Sequence, residues 1–298
     1  MRRSRQRSRS NRPKSESTNT TLKNFGEAAN ELRYGLDLNT NLGEGFGNYR
    51  IEGEGQLLPY VTSANIACGA HAGDPVLMEA ALNEAYRAGL SIGAHIGYPD
   101  LAGFGRREMH LAANELRASI LYQLGALAGL AKAAGLEITQ VRPHGFLYRQ
   151  TFSDLRIATI VAKAIAEFDP WLILIGPACP TLISAGERAG LKIAGEAWVD
   201  RLYDANGHLL PHNHTKAKMK NQHDIIAQAE SLVNRGEVTA ADGSIVKLDF
   251  QTIHLHPALP NAIATAQAIR AMVPQISRLR SEPYSVGPQE ETQLAYSG

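Results

Sequence analysis

The sequence predicts an α/β chain folded as a parallel β/α barrel or an incomplete barrel, and three observations carry that prediction. Short apolar runs alternate with longer segments of helical spacing some six or seven times along the chain. Several helical segments stop at a glycine, the residue that most readily closes a helix in the left-handed conformation. Histidines and acids gather in glycine-rich phrases at the ends of the strand-like runs, where a repeated β/α scaffold places its chemistry.

Taken in order, residues 34–39 (YGLDLN) read as the first strand, with a long glycine-rich connection to residue 60. Residues 66–68 are a short apolar run before Gly69, and residues 75–88 have helical spacing, with Asp74 as N-cap and Pro75 in the first turn. Gly89 ends that helix and residues 90–95 form the next strand. Residues 114–134 are helical to Gly135, and residues 137–141 are a strand running into Arg142, Pro143 and His144. A helix over 154–168 precedes the apolar strand 171–175 (WLILI), and a short helix over 181–189 closes at Gly190 before a strand over 191–197. Residues 200–220 break the rhythm, being polar and turn-rich, and read as a surface excursion beside the active face. A helix over 223–235 ends at Gly236, residues 245–250 and 252–255 supply strand material, and a last helix covers 261–272.

Composition narrows the function classes. The chain has 298 residues, 44% of them hydrophobic, enough to bury a full core as one domain. The formal net charge of +1 conceals a split, because residues 1–15 carry six Arg and one Lys with no acid. The remainder has 23 basic and 29 acidic residues, a net of −6, which argues against a nucleic-acid-binding core. Residues 1–30 read as a disordered basic extension, 31–280 as a single β/α domain and 281–298 as a polar tail. No apolar stretch is long enough to span a membrane, and two cysteines, Cys68 and Cys179, suit an intracellular, cytoplasmic setting better than a disulfide framework. Gly43, Gly45 and Gly47 do not make a nucleotide-phosphate loop, since the required lysine and helix do not follow.

The glycine phrases are DLNTNLGEGFG (37–47), SANIACGAHAGD (63–74), GAHIGYPDLAGFGRR (93–107) and RPHG (142–145). With VRPHGFLY (141–148), AWVDRLY (197–203) and DGSIVKL (242–248), they resemble the LamB/YcsF family over about three quarters of the chain. The resemblance implies a seven-stranded β/α barrel-like fold of glycoside hydrolase and polysaccharide deacetylase type. It also implies ATP-dependent opening of the lactam 5-oxoproline to glutamate, with ATP used through a complex with subunits B and C, and association into homo- or hetero-oligomers. Several positions depart from the family pattern: Asn41 stands where a second acid is usual, Ile96 replaces a proline, Arg142 replaces a lysine, and His254 to Ala258 lack the usual glycine and acid.

Opening a lactam requires activation of water and stabilisation of an oxyanion. For that chemistry Asp37, His71, His95, His144 and Arg142 form the candidate catalytic set: Asp37 and a histidine for the water, Arg142 with neutral His144 or the Asn65 amide for the carbonyl oxygen. Asn39, Asn41, Glu44, Asn65, Asp74, Arg106, Arg107 and Tyr148 are the candidate substrate contacts, with the arginines suited to a carboxylate. Competing structural roles accompany them: N-capping for Asp74, loop bracing for Asn41 and Glu44, a tie to Asp100 for Arg106 or Arg107, and a plug over the barrel end for Tyr148. Asp37, His71, His95 and His144 are also ligand types for zinc, and a metal-dependent deacetylase or amidohydrolase is the alternative enzyme, although the deacetylases' helical HxxxH pair is absent. His212, His214, His254 and His256 are a weaker second metal candidate. A non-catalytic binding or assembly subunit of the same fold is the third reading.

Overall fold

Period-two alternation in DLNTNL sets the geometry of the first strand, β1 (Asp37–Leu42). Leu38 and Leu42 join the apolar layer under the helices, while Asn39 bonds across the barrel interior to Glu196, Thr252 and Asn65. The computed structural model describes residues 36–211, 214–273 and 276–279; the basic extension, the polar tail and His212 lie outside them.

Six further strands continue the pattern: β2 (Ser63–Ala67), β3 (Ser91–Ile96), β4 (Gln140–Pro143), β5 (Ile173–Pro177), β6 (Ile193–Trp198) and, after a hairpin of β7 (Glu237–Thr239) with β8 (Ile245–Lys247), β9 (Thr252–His254). β1 to β6 pair in parallel in chain order, and β9 closes the ring between β6 and β1, giving a seven-stranded parallel barrel. The helices are α1 (Pro75–Arg87), α2 (Ala113–Ala133), α3 (Gly145–Ser153), α4 (Leu155–Phe168), α5 (Pro180–Ala189), α6 (Gln222–Arg235) and α7 (Ala262–Met272). All of β1 to β6 but β2 end one to three residues later than hydrophobic pattern predicts, where polar residues such as Asn41 and Arg142 are still paired, while β2 starts three residues earlier than expected, at Ser63, and ends at Ala67. Helix α3 is absent from the sequence-based expectation: it starts at Gly145, one residue after His144, with no apolar repeat to announce it.

Most of the apolar core lies between the barrel and its helices. The barrel interior is different, with a small apolar cluster of Ile173, Ile175 and Ala194 and, elsewhere, hydrogen-bonded polar layers. No helix among the described residues is long and apolar enough to cross a membrane.

Candidate active site

The polar interior is stacked in three levels. At the lowest, Asp37 is fully buried and accepts hydrogen bonds from Thr62 Oγ1 (2.6 Å), Ser63 Oγ (3.0 Å) and Thr252 Oγ1 (2.5 Å). One level up, Asn39 donates through Nδ2 to Glu196 Oε1 (3.0 Å) and Thr252 Oγ1 (2.7 Å), and its Oδ1 receives Asn65 Nδ2 (2.9 Å) and His254 Nδ1 (2.8 Å). The third level, at the strand C-terminal ends, holds Asn41, His95 and Arg142, joined by Glu44, His71 and His144 from the connections.

Asp37 therefore does not meet the histidines. It sits four residues before Asn41 on one strand, about 13 Å lower at ~3.3 Å per residue, and both its oxygens are engaged by hydroxyls. Burial pushes its carboxyl up to about 6, partly offset by the Thr252, Thr62 and Ser63 hydroxyls. The fold thus favours its protonated form: that contribution is complete below about pH 4 and is lost as pH rises through about 6. An Asp37→Asn variant should show a flatter rise of unfolding free energy, measured by chemical denaturation, with falling pH over that window, by about 3 kcal/mol at ~1.36 kcal/mol per pH unit. Its turnover should stay within about threefold of wild type, and a larger loss would return Asp37 to the chemistry.

The acid that does join the histidines is Glu44. Its Oε1 lies 3.5 Å from His95 Nε2, 3.6 Å from His144 Nδ1 and 4.0 Å from His71 Nε2. Asn41 Nδ2 donates to the same oxygen (3.0 Å), and Asn41 Oδ1 accepts from Arg142 Nη1 (3.3 Å), a double role that an aspartate at this position could not fill without protonation. The backbone N–H groups of Gly43 and Glu44 donate to Glu54, which holds the β1 connection in place.

Backbone carbonyls fix the imidazole tautomers. His95 Nδ1 meets the Arg142 carbonyl at 2.9 Å and His144 Nε2 meets the Phe104 carbonyl at 2.9 Å, so each of these nitrogens carries the proton. The remaining nitrogens, His95 Nε2 and His144 Nδ1, then face each other without a proton of their own at 2.9 Å, with only a long 3.4 Å approach of Arg142 Nη1 to His95 Nε2. Such a contact is repulsive unless a proton or a cation lies between them. Burial lowers the pKa of His95 and His71 to about 3 and that of His144 well below its ordinary value, which disfavours the proton. Both ring nitrogens of buried His71 have no hydrogen-bond partner, and the ring stacks on His144 at 3.9 Å between centroids. One ligand atom from each of Glu44, His71, His95 and His144 falls within 4.8 Å of all the others, so this cluster can hold a metal ion.

The glycine phrases make room for the rings. A Cβ on Gly105, whose φ is +64°, would stand 2.8 Å from His71 Cβ and 3.0 Å from His144 Cδ2, and one on Gly145, φ +56°, would stand 2.3 Å from the Gly105 carbonyl oxygen. The two loops that carry the stacked histidines thus touch through glycine backbone.

Arg142 is buried and paired through Nε and Nη2 with Glu196 at 2.7 and 2.8 Å, leaving Nη1 toward Asn41 and His95. Burial alone would lower its pKa, yet the Glu196 charge holds it above the ordinary value. Above this level opens a cavity of about 220 Å³ whose wall includes His144, Arg142, Tyr148, Arg106, Asp200 and Lys218. Tyr148 Oη accepts from Trp198 Nε1 (3.1 Å).

Of the other sequence candidates, Asn39 and Asn65 lie one level below the cluster and bond to each other, away from the cavity wall. Asp74 caps α1, accepting from Val76 N (2.9 Å), Leu77 N (3.0 Å) and Gly47 N (2.8 Å). Arg107 is tied to Asp100, and Arg106 instead stands over the Phe104 ring at the cavity. His214 is exposed, His254 is buried against Trp198 and His256 lines the cavity; among the described residues these histidines form no ligand cluster. Sequence reasoning misses Glu196, Trp198, Asp200 and Lys218 as site residues, and it names His256 only for a second metal site. A signal for the first three exists, since EAWVD alternates its large polar and aromatic side chains at the end of a strand.

Comparison with known proteins agrees with this architecture. The model of the LamB/YcsF family matches residues 36–284. A relative from Methylococcus capsulatus, named as the A subunit of 5-oxoprolinase, is 47% identical over 235 residues, covering 79% of this chain and 90% of the relative. A protein of the same name from Bacillus subtilis is 43% identical over 235 residues, with 79% and 91% covered. The solved structure of a lactam utilization protein from Thermus thermophilus superposes with a TM-score of 0.75 at 37% identity, covering 80% of this chain and 95% of that one.

Proposed function

The chain belongs to the LamB/YcsF family, and from that footing we propose that it opens the lactam ring of 5-oxoproline to glutamate as one subunit of a complex that hydrolyses ATP. The name carried by its relatives, that of the A subunit of 5-oxoprolinase, supports both the substrate and the presence of further subunits, B and C, in the assembly. Nucleotide binding is assigned to the complex, since the glycine-rich connection after β1 carries no phosphate-loop motif. A cytoplasmic setting is supported by two buried free cysteines.

The observation that carries the reading is the Glu44 carboxylate surrounded by three neutral imidazoles beside a cavity walled by cations. Glu44 takes the proton of the attacking water, held in place by Asn41. Arg142 Nη1 faces the position where negative charge develops on the carbonyl oxygen, while Glu196 keeps the guanidinium oriented. Arg106 and Lys218 at the cavity wall suit the carboxylate of the substrate.

The facing lone pairs favour a second element, a divalent metal such as zinc held by His71, His95 and His144, with Glu44 left as the base. When bound, such an ion supplies Lewis acidity and lowers the pKa of water. The orphaned nitrogens of His71 fit that role, as does a donor set of three imidazoles. The test is to incubate the purified chain with 5-oxoproline and ATP, with and without subunits B and C, and to measure glutamate together with metal content. Glutamate formed only with the partners supports the reading. Turnover without ATP or partners that follows bound zinc supports a free-standing metal-dependent amidohydrolase, and binding of 5-oxoproline without turnover in any combination supports a purely assembling role.

A further inference from the structure

Two residues beyond the end of β6, Asp200 enters the cavity wall on a segment that joins the barrel to the polar excursion over residues 200–220. Its side chain is buried, with 9% of the residue exposed, and Oδ1 has no hydrogen-bond partner. We propose that Asp200 is a catalytic residue that donates the proton to the ring nitrogen as the carbon–nitrogen bond of the lactam breaks. This deepens the lactam-opening reading above and rests on it.

A buried carboxylate oxygen without a hydrogen-bond partner is costly, so such a group either keeps its proton or finds a donor in a bound ligand. Asp200 is the only carboxyl among the described residues of that wall, which otherwise carries Arg106, Arg142, Arg149, Arg201, Lys218 and Lys220 as its charged groups. Arg201 on its own segment and Lys218 from the excursion act on it directly, and the titratable groups that share its cavity include Arg106 from the β3 connection, Arg142 and Tyr148 from β4 and α3, and His256 after β9. Burial raises its pKa, and the nearby Arg201 and Lys218 charges offset only part of that rise. The neutral acid is therefore available toward higher pH than for an ordinary aspartate.

The chemistry needs such a group. An amide nitrogen leaves poorly as an anion, and a base on the water side does nothing for it. In the proposed step the water oxygen bonds to the lactam carbonyl carbon while its proton goes to Glu44. The carbon–nitrogen bond then breaks, its electron pair stays on nitrogen, and nitrogen takes the Asp200 proton, giving the free amine of glutamate. The proton on Glu44 returns to Asp200 through solvent, so both residues regain their starting states.

Asp200→Asn, nearly isosteric, assayed in the assembled complex, should lower kcat for 5-oxoproline about 10²-fold or more with KM within about threefold. The alkaline limb of the wild-type kcat profile, where activity falls as the acid loses its proton, should disappear in the variant. On the oxygen analogue, the γ-lactone of 2-hydroxyglutarate, the leaving alkoxide needs far less help and the loss should stay under about tenfold. Asp200→Glu should recover part of the lactam activity. Equal losses on lactam and lactone, or an unchanged alkaline limb, would overturn the proposal. A wild-type complex that makes no glutamate from 5-oxoproline would instead overturn the lactam-opening reading itself.

Discussion

Replacing Glu44 with glutamine is expected to lower glutamate formation by the assembled complex about 10²- to 10⁴-fold, with little change in KM. The amide keeps the volume of the side chain and can still accept from Asn41 Nδ2, now at 3.0 Å from Oε1, but it cannot take a proton from water. Because the 3.5 and 3.6 Å contacts to His95 and His144 are made by that same Oε1, the NH₂ group takes the place of Oε2 and the Asn41 bond is kept, so the fold should not suffer. The same variant separates the two roles open to Glu44. Zinc content equal to that of wild type, measured by elemental analysis, would mean that the three histidines hold the metal alone. A fall in turnover of less than about threefold would remove Glu44 from the chemistry.

Glu196→Ala is expected to destabilise the protein more than any surface change, by about 3–5 kcal/mol in chemical denaturation, because it leaves the buried Arg142 guanidinium without its counter-charge. It also strips Asn39 Nδ2 of one acceptor in the level below. The double replacement of Arg142 and Glu196 by leucine should recover a large part of that loss while abolishing turnover, since an apolar pair removes the orphaned charge but not the need for it. Recovery of activity along with stability would show that the pair is only structural.

These two residues illustrate what the sequence could and could not reveal. Helix ends were legible because caps are local: Asp74 with Pro75, Asp154 before α4, and Gly190 and Gly236 in left-handed closure each announce a boundary within a few residues. His71, His95 and His144 were legible because they sit in glycine phrases whose purpose, close backbone approach around stacked rings, has few other uses. Asp37 misled for a geometric reason. Alternation along a strand says which side chains face the barrel interior but not at which height, and Asp37 and Asn41 share a face at opposite ends of β1. Glu196 and Asp200 were missed because the alternation in EAWVD says only that they share a face; the partner of the one and the cavity of the other are made by closure of the barrel. Strand bounds were misplaced for the same cause, the end of β1 read too early and the start of β2 too late, since a polar barrel interior gives hydrophobic pattern nothing to follow.

Where the lactam sits decides whether these residues act as assigned, and a crystal structure of the Glu44→Gln protein soaked with 5-oxoproline measures that directly. The expected result is a ring in the cavity with its carbonyl carbon beside residue 44 and the histidines, its nitrogen toward Asp200, and its carboxylate at Arg106 or Lys218. A ring bound elsewhere on the protein, or held in the cavity with its carbonyl turned away from the histidine cluster, would contradict that placement.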